Sequence, residues 1–185
     1  MTLPVTGSQT VGPFFRIGMA QLFQEDFAAD GVSGERVTIH GRVLDGDGVG
    51  VPDAQLEIWQ ADAAGRYFDA ESESEAGFRG FGRVPTGDKG AFRFTTIKPG
   101  CVTGPEKSTQ APHLVVLVFM RGLLRHLVTR VYFAGEAANA NDPILKLVPE
   151  ERCGTLIARR EGESGSTLVW NIRLQGDDET VFFDL

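Results

Sequence analysis

The chain has 185 residues, enough for one domain whose core needs no covalent staples. With 42% hydrophobic and 23% charged residues, it has the make-up of an ordinary globular protein. A net charge of −7 argues against a nucleic-acid partner, because phosphate contacts need clustered Lys and Arg, and even Arg159-Arg160 runs on into Glu161 and Glu163.

Residues 1–35 carry few strand signals. Ser8-Gln9-Thr10-Val11-Gly12-Pro13-Phe14-Phe15 is punctuated by Gly and Pro and suits no helix interior. A short helix is expected after it, around Met19 to Phe27. From Arg36 the pattern changes: Val37, Ile39, Gly41 and Val43 alternate with polar partners or His40, which marks a strand with one buried face. Asp45-Gly46-Asp47-Gly48 is dense turn chemistry. Leu56-Glu57-Ile58-Trp59 resumes extended structure until Ala61 to Gly65 turns the chain. Residues 70–90 hold Gly77, Gly80, Gly82, Pro85, Gly87 and Gly90 and are expected to form a long irregular loop. Ala91 to Ile97 reads as the next strand, stopped by Pro99-Gly100.

His113 to Met120 is nearly all apolar, as a central strand covered on both faces would be. His126 to Phe133 follows across an Arg121-Gly122 turn and is expected to pair with it as a hairpin. Beyond Pro143 and Pro149, Thr155 to Ala158 fits helix or strand. Thr167 to Leu174 and Thr180 to Phe183 read as closing strands around Gln175-Gly176-Asp177-Asp178. Seven or so short strands, frequent turns and little helical periodicity point to an all-β fold, a β-sandwich with an irregular N-terminal arm. Residues 1–185 are expected to form a single domain, with 1–35 as the arm.

Chemistry is sparse in the residues alone. Three histidines, His40, His113 and His126, match no zinc spacing, and lone strand histidines are usually structural or exposed. There is no nucleophile elbow and no phosphate-cradling glycine loop. Cys101 and Cys153 define neither a disulfide framework nor a zinc site and are expected to be reduced. Met1 to Pro4 lacks the pattern of a signal peptide, and no apolar run approaches the roughly 18 residues of a membrane span. A cytoplasmic protein with no membrane partner is the expectation. Arg130 stands out. In His126 to Phe133, alternation puts Leu127, Thr129, Val131 and Phe133 on one face and Arg130 with His126, Val128 and Tyr132 on the other. If that second face is covered, the guanidinium needs an acidic partner or an anionic ligand; if it is wet, the side chain snorkels.

Longer motifs are more specific. Gly41-Arg42-Val43-Leu44-Asp45, Val51 to Asp62, Gly65-Arg66-Tyr67, Phe92 to Gly100, Ala111-Pro112-His113 and Thr129 to Phe133 follow in an order and spacing that resemble the intradiol ring-cleavage dioxygenase signature. Ser8 to Phe14 and Gln175 to Asp184 look like the α-type chain of those members that work as αβ pairs. The family's fold is a β-sandwich, in agreement with the reading above. In its iron-bearing chains, Fe(III) is held by two Tyr and two His. Tyr67 stands at the first Tyr, but Cys101-Val102 replaces the second, and His113-Leu114-Val115 replaces the His-x-His pair. Gln110 stands where an Arg normally precedes that pair, and Tyr132 does not fall at a ligand position. Tyr67 and His113 are therefore expected to be remnants of a lost iron site, with no metal held by this chain.

The resemblance implies a homologous β-subunit that carries the Fe(III), and αβ protomers that assemble into a larger hetero-oligomer. It implies O2-dependent cleavage of a small aromatic substrate, 3,4-dihydroxybenzoate, to 3-carboxy-cis,cis-muconate. This chain alone would hold no catalytic residue. Its Thr10, Gly12, Pro13 and Phe14 would line the partner's pocket, with Phe14 where related chains often have Tyr. Arg130 would face the same pocket and bind the substrate's carboxylate. Two rivals remain: a self-sufficient catechol or hydroxyquinol dioxygenase, which needs four ligands from one chain, and a non-enzymatic transthyretin-like or carbohydrate-binding β-sandwich.

Overall fold

The computed structural model of the chain describes residues 5–67, 77–104, 107–162 and 165–184. Sheet dominates. The strands are β1 (Arg36–Leu44), β2 (Gln55–Gln60), β3 (Phe81–Pro85), β4 (Ala91–Ile97), β5 (Val102–Thr103), β6 (Thr109–Gln110), β7 (His113–Phe119), β8 (Leu127–Phe133), β9 (Ile157–Arg160), β10 (Thr167–Val169) and β11 (Ile172–Arg173). Among the described residues, helix is limited to α1 (Pro13–Met19), α2 (Glu150–Cys153) and short 3-10 turns.

β3, β2, β7 and β8 run antiparallel in that order, and β9 joins β8 in parallel. β10 links β9 to β1, which also takes β4 along its length from Arg36↔Ile97 to Arg42↔Ala91. The strands at the two ends of this path turn their apolar faces onto one core. Val37, Ile39 and Val43 of β1 and Phe92 and Phe94 of β4 share it with Leu56, Ile58, Leu114, Val116, Val118, Val131 and Phe133. The period-2 alternation of each strand is the cause, since every second side chain must leave water.

Several elements differ from expectation for identifiable reasons. The first helix lies at Pro13–Met19, with only a 3-10 turn at Ala20–Leu22, rather than around Met19 to Phe27. Pro13 is its first residue, where a missing N–H costs nothing. Further along, Phe23, Asp26 and Ala28 form single bridges to Arg83, Thr95 and Phe78, and Phe27 is buried in the core. The second half of the arm is thus stitched into its own body. Within the expected 70–90 loop, Phe81–Pro85 is a strand, while 68–76 lie outside the described residues. β7 is not covered on both faces: Leu114, Val116 and Val118 are buried, whereas Val115, Leu117 and Phe119 are only partly covered. Thr155 to Ala158 splits between a 3-10 turn and β9. The closing region yields the short β10 and β11, and Phe183 makes only a single bridge to Val128. Both cysteines are free. No helix among the described residues is long and apolar enough to cross a membrane.

Candidate functional site

His113 opens β7, directly opposite Tyr132 on β8. Its Nδ1 lies 2.7 Å from the carbonyl oxygen of Ala111. A carbonyl can only accept, so Nδ1 carries the ring proton and Nε2 keeps its lone pair. That lone pair faces the hydroxyl of Tyr67 at 3.4 Å. Burial first, and then the charge of Arg130, hold the His113 pKa down at about 4, against smaller upward pulls from the Ala111 carbonyl and Asp142. The imidazole is neutral at pH 7.

Tyr67 is delivered by the turn after β2. Asp62 closes that turn by accepting from the N–H groups of Ala64 and Arg66, each at 2.9 Å, and from Arg66 Nε at 2.8 Å. Tyr67 is 46% exposed as a residue, yet its hydroxyl end is tucked against His113. Burial there raises the phenol's pKa, and Arg130 opposes the rise.

Arg130 sits midway along β8, in register with Val115 of β7, which is in turn opposite Trp59 of β2. Its Nη1 donates to Gln110 Oε1 at 2.6 Å and to the Tyr132 hydroxyl at 3.4 Å. Nε and Nη2 find no acceptor among the described residues. Tyr132 donates onward to Asp142 Oδ1 at 3.2 Å. Asp142 is fully buried and also accepts from the backbone N–H of Ala111 at 2.7 Å, Ile144 at 2.9 Å and Leu145 at 2.8 Å. Burial pushes the Tyr132 phenol far up, with Arg130 opposing. The face is half-covered, and the guanidinium takes neutral partners with a carboxylate one step behind them. That outcome lies between the two expected from alternation.

Among the described residues, no group of three or more His, Cys, Asp or Glu side chains could hold a metal. Among the described residues, Tyr67 and His113 offer one phenol and one imidazole, while the Tyr132 hydroxyl and the Asp142 carboxylate beside them are taken up by Arg130, by each other and by backbone N–H groups. Two residues beyond His113, Val115 adds only an aliphatic group, as does buried Val102 on β5. Ferric iron needs more hard oxygen and imidazole donors than this, and a resident guanidinium repels it. The residues present do not fit the ion.

The arm lies elsewhere. Thr10 Oγ1 accepts from the N–H of Gly122 at 2.7 Å and lies 3.4 Å from the Met120 carbonyl, tethering the arm to the β7–β8 turn. Gly12 precedes α1, Pro13 begins it, and Phe14 points out at 83% exposure. Gly12 and Pro13 border a cavity of about 200 Å³ with Gln55, Asp53, Phe119 and Arg121. The buried Gln55 amide there has no hydrogen-bond partner among the described residues. Thr10, Gly12, Pro13 and Phe14 are thus brought together with one another, at the turn end of the hairpin, while Arg130 joins Tyr67 and His113. Asp142 was not anticipated: in Asn141-Asp142-Pro143 it carries only an ordinary turn signal.

Comparison with known proteins agrees with the signature. The Dioxygenase family profile matches residues 12–176. Over its whole length and 99% of the relative's, the chain is 47% identical to the protocatechuate 3,4-dioxygenase alpha chain of Burkholderia cepacia. It is 35% identical to the protocatechuate 3,4-dioxygenase beta chain of Burkholderia cepacia, over 96% of this chain and 78% of that one. Among solved structures, the dioxygenase domain of a carbohydrate-binding fusion from Streptomyces sp. SirexAA-E shares the fold, with a TM-score of 0.64 at 24% identity, covering 86% of this chain and 89% of that one.

Proposed function

This chain belongs to the intradiol dioxygenase family, and on that footing we propose that it is the α-subunit of a protocatechuate 3,4-dioxygenase. With a homologous β-chain that holds the Fe(III), it serves O2-dependent cleavage of 3,4-dihydroxybenzoate to 3-carboxy-cis,cis-muconate. The observation that carries this reading is the broken donor set on a dioxygenase scaffold: Tyr67 and His113 still meet at 3.4 Å, but valines stand at 102 and 115. A self-sufficient enzyme would need those donors. The opposed faces of the sheet, packed on one core, are read as the two layers of the family's β-sandwich.

A partner is further supported by the outer face of β3, β2 and β7. Phe81, Trp59 (47% exposed), Val115, Leu117 and Phe119 lie there around the Glu57–Arg83 ion pair, none of these five sealed by the chain itself. A largely apolar face of this kind marks an interaction surface. The iron supplies the oxygen chemistry from the β-chain, and this chain's part is to bind and orient. The exposed arm, through Thr10, Gly12, Pro13 and Phe14, is proposed to wall the partner's pocket. Arg130 is proposed to offer its Nε and Nη2 edge, which has no acceptor among the described residues, to the substrate's carboxylate.

Expressed alone, the chain should not turn over 3,4-dihydroxybenzoate. Co-expressed with its β-homologue, it should co-purify and consume O2 with that substrate. Full turnover by the isolated chain would overturn the reading, as would a β-chain equally active without it.

A further inference from the structure

The two places that lack metal donors are bridged by a single side-chain pair. Val102 on β5 is the strand partner of Gln110 on β6, and Val115 on β7 is the strand partner of Arg130 on β8. Gln110 and Arg130 are joined to each other at 2.6 Å. The contact therefore spans the ground between the two lost donors, beside the two that remain. We propose that the Arg130–Gln110 pair is a built-in plug: its guanidinium is the fixed positive charge of this cluster and bars a ferric ion from Tyr67 and His113 even when the missing donors are put back.

Three features make the plug a firm one. A guanidinium does not give up its proton at any working pH, so it cannot become a ligand or lose its charge. It is held at two points, by Gln110 and by Tyr132, and Tyr132 is fixed in turn by Asp142, whose carboxylate is anchored by three backbone N–H groups. The remaining donors also feel its charge: Arg130 acts electrostatically on both Tyr67 and His113. Loss of two ligands is thus only half of the metal's exclusion. The family relationship enters only in saying which positions would be ligands. The inference stands whether or not Arg130 also meets a substrate carboxylate, and its test uses neither partner nor substrate.

The test compares full-length chains carrying Val102→Tyr with Val115→His, and the same pair with Arg130→Gln added. Each is titrated with ferric nitrilotriacetate after its fold is checked by circular dichroism. The triple variant should develop a tyrosinate-to-iron absorption band. It should bind at least about tenfold more tightly than the double variant, the size of one charge-assisted interaction. Arg130→Lys in place of Arg130→Gln keeps the charge and should leave binding weak. Equal binding by the double and triple variants overturns the plug, and so does a folded triple variant without the band. Should either fail to fold, Val115→His alone and Val115→His with Arg130→Gln carry the question, since each keeps three donors. Ferric ion should then raise the melting temperature of the second variant more than that of the first, and equal responses overturn the proposal.

Discussion

At the scale of the residue, Arg130 has the sharpest consequences. If its open edge receives the substrate's carboxylate, Arg130→Ala in the αβ complex should lower kcat/KM for 3,4-dihydroxybenzoate by about ten- to a hundredfold, the worth of roughly 1.5–3 kcal/mol for a hydrogen bond to a charged group. Catechol has no carboxylate, so its turnover should fall much less and the preference between the two should shrink. An unchanged ratio, with both substrates suffering alike and a lower melting temperature, would assign Arg130 to the fold alone. His113 predicts a pH effect. Its folded pKa of about 4 lies below the usual histidine value, so between about pH 6.5 and 4 the unfolded chain binds more protons than the folded one. The stability this neutral imidazole contributes is complete above that window and is lost as pH falls through it, by about 3 kcal/mol at most. Among the described residues, Arg130, Asp142, Tyr67 and Tyr132 are the charged and titratable groups around the ring. Melting temperature followed against pH should fall more steeply in the wild type than in His113→Gln. Parallel curves would show that His113 does not carry the effect.

At the scale of the element, β3 shows how tightly the arm is built in. A Cβ placed on Gly82 would lie 2.1 Å from the ring of Phe27, which stacks on Phe94 with centroids 5.3 Å apart. Gly82→Ala should therefore displace Phe27 and cost about 1–3 kcal/mol by overpacking, read as a lower urea midpoint. Gly87→Ala, which meets nothing closer than 3.8 Å, is the control and should stay near the wild type. Gly82 also shows why glycine content alone points to the wrong local structure here. The glycines of 77–90 were expected to make a loop, yet Gly82 lies inside a strand and serves a close approach. By contrast, β1 and β4 were legible because their alternation is regular, and β4 falls at Ala91–Ile97 as expected. Pro13 misled in another way, since a residue that breaks helices also begins them well. The apolar run of β7 announced a strand, but composition cannot say whether a neighbour covers its second face. In the site, Tyr67, His113 and Arg130 could be singled out from motif and alternation. Asp142 could not, because its role depends on strands brought together from distant parts of the chain. The Gln110–Arg130 contact is likewise a product of register, joining residues on β6 and β8.

At the scale of the whole molecule, the parts make sense as half of something larger. A dioxygenase scaffold holds a cluster that does not fit the metal, a partly open apolar sheet face, and an arm whose first half is exposed while its second half is anchored in the core. An iron-bearing homologue that covers the face and meets the arm would complete all three. The most direct test is the metal itself, counted by elemental analysis on the purified αβ complex with wild-type α-chain and with Tyr67→Phe. The account predicts a single iron for each αβ pair and a tyrosinate-to-iron band, both unchanged by Tyr67→Phe, and a colourless α-chain when purified alone. Loss of iron on Tyr67→Phe, or a red-brown isolated α-chain with stoichiometric iron, would contradict it.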